Sequence, residues 1–303
     1  MVDITHKPFT LRKAIARATV KVGSSETMDA ILQKRIPKGD VFEMAKTAGL
    51  FAAKKTADII PDCHPLPVEF TGITFETEGL DIHIYAEVHT VYKTGVEVEA
   101  MHTASVVALT MYDMLKPVDK GVEIWHIKLL EKTGGKTDYQ KIASDISVGV
   151  LVCSDSISSG EKKDISGKII ESEMIKFGCL VKQYVVIPDE KSMIRERLKA
   201  WEAEGIKLII ITGGTGLSPR DVTPDAVKPL LDVEIPGISE AIRSYGQDRT
   251  PYSMLSRSIA GFMNDSLILA IPGSMGGVKD SLKAVFPALF HVFRVKKFFR
   301  HEG

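Results

Sequence analysis

The stretch Thr212-Gly213-Gly214-Thr215-Gly216-Leu217-Ser218-Pro219-Arg220-Asp221-Val222-Thr223-Pro224-Asp225-Ala226 decides how the second half of the chain folds. It follows an apolar run, residues 207–211, whose length and composition predict a fully buried strand. It ends in Thr223-Pro224-Asp225, which predicts a helix N-cap followed by proline at the first helical position. The order is therefore strand, glycine-rich loop, helix. Three glycines allow backbone N–H groups to approach an anion closely, and a helix N-terminus adds partial positive charge. Asp221 is out of place if anion binding is the loop's only task. A carboxylate there suits holding a metal ion or a substrate group beside a phosphate.

Working outward, residues 148–153 predict a strand, followed by a helix over about 165–177 opened by Asp164 and closed by Gly178. A strand over 180–187, a helix near 191–203 ended by Gly205, and the strand before Gly213 complete a βαβαβ order. That order implies a mostly parallel sheet covered by helices on both faces, with ligands at the carboxyl ends of its strands. Ser154-Asp155, Pro188-Asp189 and the loop 213–221 each follow a strand directly, so three distant loops converge on one edge. The apolar stretch 284–293 is too short to span ~30 Å of hydrocarbon and predicts a core-packed helix.

The glycine-rich element resembles the signature of the MogA/MoaB family of molybdopterin-binding and molybdopterin-adenylylating domains. The resemblance continues through Ser154-Asp155-Ser156, Asp164-Ile165-Ser166-Gly167, Pro236-Gly237-Ile238-Ser239-Glu240, Leu255-Ser256-Arg257 and Pro272-Gly273-Ser274, and covers about 147–303. It implies transfer of AMP from ATP to the terminal phosphate of molybdopterin, with Mg2+ accompanying ATP. Asp189 and Asp221 match the family's acidic residues and are assigned to catalysis or to magnesium. Gly213, Gly214, Thr215 and Gly216 are assigned to phosphate, and Ser256, Pro272, Gly273 and Ser274 to the pterin side. Ser154, Asp155 and Glu240 are further substrate-binding candidates. A molybdopterin carrier that performs no adenylylation remains the alternative.

The first half reads differently. Residues 81–92 alternate, with Ile82, Ile84, Ala86 and Val88 on one face, as in a half-exposed antiparallel strand. Helices are predicted over about 41–58, capped by Asp40, and over about 97–115, stopped before Pro117. The expected architecture is an α+β, ferredoxin-like sandwich over residues 1–143, followed by an α/β three-layer domain over 147–303. The join near Ser144-Asp145 has no Pro/Gly-rich linker.

Lys38-Gly39-Asp40, Ile60-Pro61-Asp62-Cys63-His64-Pro65-Leu66, Lys93-Thr94-Gly95-Val96-Glu97-Val98-Glu99-Ala100, Leu109-Thr110-Met111-Tyr112-Asp113-Met114 and the lysine-bracketed turn 132–136 punctuate the apolar pattern. Together they resemble the MoaC family of cyclic pyranopterin monophosphate synthases. Arg35-Ile36-Pro37 lacks the histidine often found before the lysine in that family. The resemblance implies rearrangement of a GTP-derived cyclised nucleotide to a pyranopterin, with loss of pyrophosphate and without a cofactor. Such chemistry needs cations for the triphosphate and groups that move protons. Arg12, Lys38 and Lys132 are candidates for the former. Asp113, Lys116 and His64 are candidates for the latter, Lys116 working best if neighbouring cations lower its pKa. Cys63, Pro65, Leu66, Glu97 and Glu99 complete the substrate-binding set. On one continuous helix Glu99 and Asp113 would stand roughly 21 Å apart at ~1.5 Å per residue, so one small nucleotide cannot touch both within a subunit. Sites shared across a two-fold interface resolve this, and the expected assembly is a hexamer.

At 303 residues two domains are expected, since single cores seldom exceed ~250 residues. Zero formal net charge and the lack of a long basic run argue against nucleic acid as a partner. Cys63, Cys153 and Cys179 show no CxxC spacing, which fits a reducing compartment. A cytoplasmic protein with small-molecule substrates, no membrane association, and contacts to other molybdenum cofactor enzymes is the expectation.

Overall fold

The computed structural model describes residues 1–135 and 146–298; the join at Ser144-Asp145, and Lys136 of the lysine-bracketed turn, lie outside them. The chain divides into two compact units, Met1–Asp138 and Tyr139–Gly303.

The first unit runs β1 (Thr10–Lys21), α1 (Ser25–Leu32), α2 (Val41–Ile59), β2 (Phe70–Glu78), β3 (Asp81–Tyr92), α3 (Glu97–Leu115) and β4 (Glu123–Thr133). Its four strands form one antiparallel sheet in the order β2-β3-β1-β4, the ferredoxin-like arrangement expected. Alternation sets the faces: Ala14, Ala16, Ala18 and Val20 of β1 and Ile82, Ile84, Ala86 and Val88 of β3 are buried. Helix α3 covers them with Ala100, Ala104, Val107, Ala108 and Met111, a stripe at three- and four-residue spacing whose small side chains admit close helix–sheet approach. Asp40 caps α2, its Oδ1 accepting the N–H groups of Phe42 and Glu43 at 3.1 and 3.2 Å.

The second unit comprises β5 (Ser147–Cys153), α4 (Asp155–Ser158), α5 (Ser166–Lys176), β6 (Leu180–Ile187), α6 (Lys191–Ala203), β7 (Leu208–Thr212), α7 (Thr223–Val227), β8 (Val233–Glu234), α8 (Pro236–Gln247), β9 (Ile259–Met263), β10 (Ser266–Ile271), α9 (Met275–Val285) and α10 (His291–Phe298). The sheet order is β6-β5-β7-β10-β9-β8, parallel from β6 through β10 and antiparallel beyond. Strands β5, β7 and β10 are buried along their whole length, as a sheet covered on both faces requires. One layer of core gathers Ile170, Met174 and Leu282 on one face; the other gathers Ile194, Leu198 and Trp201.

Two local expectations are corrected. Residues 284–293 do not form one helix: α9 ends at Val285, Pro287 has no N–H to continue it, and a short 3-10 turn precedes α10. Thr223 is not the cap of its helix but its first residue. Val222 precedes it, no side chain caps the helix, and Thr223 is fully buried.

Candidate functional site

The candidate residues of the first unit fall into two groups at opposite ends of α3. Near its C-terminus, Asp113 bridges two lysines: Oδ2 lies 2.7 Å from Lys38 Nζ and Oδ1 lies 2.7 Å from Lys116 Nζ. Lys38 Nζ also donates to the Asp113 carbonyl at 2.8 Å, which ties the loop before α2 to the end of α3. Hydrogen bonds from Lys116 and then Lys38 bring the Asp113 carboxyl down to about 2. In return Asp113 raises the pKa of Lys116, because the nearest neighbour of that lysine is an acid.

Near the N-terminus of α3, Glu97 accepts from Lys132 Nζ at 3.0 Å. Burial pushes the Glu97 carboxyl up, but its own backbone N–H, Lys132 and Arg12 outweigh this and hold it below the usual range. These groups border a cavity of about 330 Å3 lined by Lys7, Arg12, Lys13, Lys132, Thr94 and Gly95. Four cations around one carboxylate make it an anion seat. Arg12 Nε is buried there without a partner among the described residues, a donor that costs free energy until something accepts from it. One turn into the helix Glu99 is 2 % exposed; its Oε1 accepts from Cys63 Sγ at 3.1 Å and its Oε2 has no partner. Burial raises the pKa of Glu99, and burial with the adjacent carboxyl pushes the Cys63 thiol up to about 12. His64 donates from Nε2 to the Val2 carbonyl at 2.7 Å. Pro65 is exposed and Leu66 packs partly against the core, so they shape the Cys63 loop rather than supply chemistry.

In the second unit the carboxyl ends of β5, β6, β7 and β10 bring the candidates together. Gly213 has φ +102, and a Cβ there would collide with the Cys153 carbonyl, while Gly273 lies against its Cα. Gly214, at φ +61, has its open side facing Thr223 Oγ1 and Asp189 Oδ1, which would lie 2.5 and 2.7 Å from a Cβ. Both oxygens are buried and have no hydrogen-bond partner among the described residues. The backbones of Asp155 and Asp189 exchange hydrogen bonds with each other's carboxylates at 3.2 and 3.1 Å, and Ser154 caps α4 through Ile157 N–H. Burial raises the pKa of Asp189, with Asp155 and Asp221 adding like charge. Asp221 Oδ2 accepts from Ser218 N–H at 2.7 Å, a turn that sets its carboxylate beside Gly216. The Pro272 carbonyl accepts from Thr212 Oγ1, the Gly273 carbonyl from Ser166 Oγ, and Ser274 caps α9. Thr215 is buried, Ser256 Oγ sits 2.8 Å from Ser258 Oγ, and Glu240 lies exposed on α8.

Comparison with known proteins gives two family models side by side. The MoaC family matches residues 1–135, and the domain described as "Probable molybdopterin binding domain" matches 149–291. A molybdenum cofactor biosynthesis bifunctional protein of Chlorobaculum tepidum is 41% identical over 98% of this chain and 94% of its own length. The chain belongs to the family of bifunctional molybdenum cofactor biosynthesis proteins. A cyclic pyranopterin monophosphate synthase of Listeria monocytogenes is 50% identical over 45% of this chain and 86% of its own. Among solved structures, the MoaB enzyme of Thermus thermophilus is 42% identical over 50% of this chain and 95% of its own, with a TM-score of 0.48.

Several residues of this bifunctional chain escaped the sequence reading. Lys7 and Lys13 line the anion seat, but isolated lysines near a terminus carry no local signal. Thr223, read as a cap, offers an orphaned hydroxyl to the glycine loop. Arg257 donates Nε to the Gly216 carbonyl at 2.8 Å, Nη2 to the Asp221 carbonyl and Nη1 to Asp225, so it holds the loop's shape from outside the loop. Only its place in Leu255-Ser256-Arg257 hinted at that.

Proposed function

We propose that the first unit converts a GTP-derived 3′,8-cyclised nucleotide to cyclic pyranopterin monophosphate with release of pyrophosphate. The observation that carries this reading is the cavity with four cations and the unpartnered Arg12 Nε, a seat for a polyphosphate. The name of the Listeria relative supports it. Arg12, Lys132, Lys7 and Lys13 bind phosphates; Glu97 and Glu99, with the Cys63-His64 loop, border the ring system. Asp113 is assigned the role of base: it is ionised at neutral pH, and substrate must loosen its pairs with Lys38 and Lys116 before it can accept a proton. Lys116, kept charged by Asp113, acts as the proton donor. Glu99 and Asp113 lie on the single helix α3, roughly 21 Å apart by rise alone, so each complete site draws one end of α3 from each of two subunits. Exposed Met44 and Phe51 on α2 and Val98 and Leu109 on α3 supply apolar surface for such pairing, within a hexamer. Incubation with the cyclised nucleotide and chromatographic detection of pyranopterin and pyrophosphate tests the reaction.

For the second unit we propose adenylylation of molybdopterin by ATP. What carries this reading is the pair of buried, unpartnered oxygens, Asp189 Oδ1 and Thr223 Oγ1, aimed at the glycine loop. A carrier needs the cradle but has no use for unsatisfied acids within it. Among the described residues no group of three or more His, Cys, Asp or Glu forms a metal cage. Two carboxylates, Asp189 and Asp221, suit magnesium, which takes one or two carboxylates and fills its shell from substrate phosphates and water. Asp189 and Asp221 would hold it, and it would supply charge neutralisation across the phosphates. Gly214 to Gly216 would bind phosphate through backbone N–H groups, and Pro272 to Ser274 would face the pterin. Gly213, whose own N–H is taken by the Ile271 carbonyl at 3.3 Å, gives the loop its turn. Pyrophosphate release from ATP that depends on added molybdopterin tests the reading; binding of molybdopterin without release leaves the carrier.

A further inference from the structure

Among the described residues the second unit gathers five carboxylates around its strand ends, Asp155, Asp189, Glu190, Asp221 and Asp225, against three guanidinium groups, Arg195, Arg220 and Arg257, of which Arg195 is fixed on the carbonyls of Asp225 and Ala226 at 3.1 and 3.3 Å. A polyphosphate entering this site needs a cation that can turn toward it. Arg257 is spent on fixed geometry, since two of its nitrogens donate to the carbonyls of Gly216 and Asp221. Releasing it would unbrace the loop. Arg220 is the only cation between Gly213 and Val222, and its partners are all side-chain carboxylates. Nε and Nη2 reach Asp155 at 3.0 and 2.8 Å, and Nη1 reaches Glu190 at 3.0 Å. All three side chains are about half exposed, so these pairs are screened by water and exchange readily.

Resting on adenylyl transfer as the activity of this site, we infer that Arg220 is parked on Asp155 and Glu190 in the free protein and moves onto the phosphates of ATP, where it is a catalytic residue. A planar fork already arranged to meet carboxylate oxygens in pairs meets phosphate oxygens in the same way. In the step it serves, an oxygen of the pterin's terminal phosphate bonds to the α-phosphorus as the bond from that phosphorus to the bridging β-oxygen breaks. The electron pair leaves with pyrophosphate, and Arg220 neutralises the charge that develops there; no electrons are exchanged with any other group. Arg220 adjoins Asp221 in the chain, so the swing delivers a cation beside the acid assigned to metal without displacing it.

The opposing signs of two substitutions test this. Binding of a non-hydrolysable ATP analogue is measured by calorimetry and AMP transfer by pyrophosphate release, on the full chain with Mg2+ and molybdopterin. Arg220→Gln is expected to weaken analogue binding and to lower kcat about 10²–10³-fold, the range for losing one transition-state donor. Arg220→Lys, which keeps the charge without the fork, should recover part of kcat. Glu190→Gln should tighten analogue binding several-fold, because it removes one of the two carboxylates that hold the parked arginine. That gain should shrink to a residual charge effect when Arg220 is already Gln. If Arg220 is only a brace between loops, Glu190→Gln weakens binding as Arg220→Gln does, and the inference fails. Wild-type AMP transfer unchanged in Arg220→Gln overturns the inference alone. A wild-type chain that neither binds the analogue nor releases pyrophosphate overturns the adenylylation reading with it.

Discussion

Gly213→Ala puts the geometry of the glycine-rich loop to a quantitative test. Two costs apply. At φ +102 an alanine sits in a region that L side chains avoid, worth about 1–3 kcal/mol. Its Cβ would also drive into the backbone carbonyl of Cys153, in a buried strand that cannot turn aside; overpacking of this kind adds about 1–3 kcal/mol. Reduced freedom of the unfolded chain returns only about 0.4–1 kcal/mol. The net is a destabilisation on the order of 3 kcal/mol. For a unit the size of Tyr139–Gly303 this lowers Tm by roughly 6–12 °C. Gly178→Ala is the control: φ is +84, nothing lies within 4 Å of its Cβ, and only the backbone cost remains, roughly 2–6 °C. Thermal denaturation of both variants, with pyranopterin synthesis followed at a temperature below either transition, separates the terms. Equal shifts in the two variants would refute the close approach of Gly213 to Cys153. Loss of pyranopterin synthesis in Gly213→Ala would refute confinement of the damage to the second unit.

Asp113→Asn is expected to lower pyranopterin formation about 10²–10⁴-fold while circular dichroism is unchanged, since it removes an exposed base at nearly constant volume; undiminished turnover would exclude Asp113 as the base. Asp221→Asn is expected to stop adenylyl transfer and leave molybdopterin binding measurable by fluorescence, and a parallel fall in both would make Asp221 a general binding residue. Burial raises the folded-state pKa of Glu99, so the folded chain holds that proton more tightly than the unfolded one. Its contribution is fully present below the ordinary glutamate range and is lost as pH rises through the raised value. Urea titrations at pH 5 and pH 8 should therefore show wild type weaker at the higher pH, with that part of the difference absent in Glu99→Gln; an unchanged difference in the variant excludes Glu99 as its source. Sedimentation should give a mass near six chains, and a fully active monomer would end the shared-site account of α3.

Elements whose ends are marked by local chemistry were legible in the sequence. Helix α3 begins after Gly95-Val96 and ends before Pro117, and α6 closes at Gly205, so both run as the residues predict. The alternation of β3 and the continuous apolar strands β5 and β7 told an open-faced sheet from a covered one. What escaped depends on partners distant in sequence. Thr223 has the composition of a cap, yet its N–H is taken by the Gly214 carbonyl at 3.0 Å, which pulls it into the helix and buries its hydroxyl. The pKa of Lys116 follows from Asp113 one turn away and the clamp of Lys38 from a separate loop; the first pairing is visible in the spacing and the second is not. Arg257 reaches the loop it braces across about forty positions of sequence, beyond any window of local pattern.

The two candidate sites have opposite electrostatics, and on the proposed functions this follows from what each reaction would keep. In the first unit four cations surround one glutamate, which suits a site that must draw in a polyphosphate and let pyrophosphate go. Glu97, already paired with Lys132 and held ionised by its neighbours, can remain as a local counter-charge that keeps the product from binding too tightly. In the second unit acids outnumber guanidinium groups, and on the proposed function the anion would be met by neutral backbone N–H groups of the loop from Gly214 to Gly216. Such a cradle alone would repel ATP, so its carboxylates must be neutralised as the nucleotide enters. On the proposed adenylylation, magnesium held by Asp189 and Asp221 and release of Arg220 from Asp155 and Glu190 would each supply part of that neutralisation, and they would act on different carboxylates. Raising magnesium concentration should therefore not restore Arg220→Gln to wild-type kcat; full recovery at saturating magnesium would mean that the two cations are interchangeable and that the separate arginine is unnecessary.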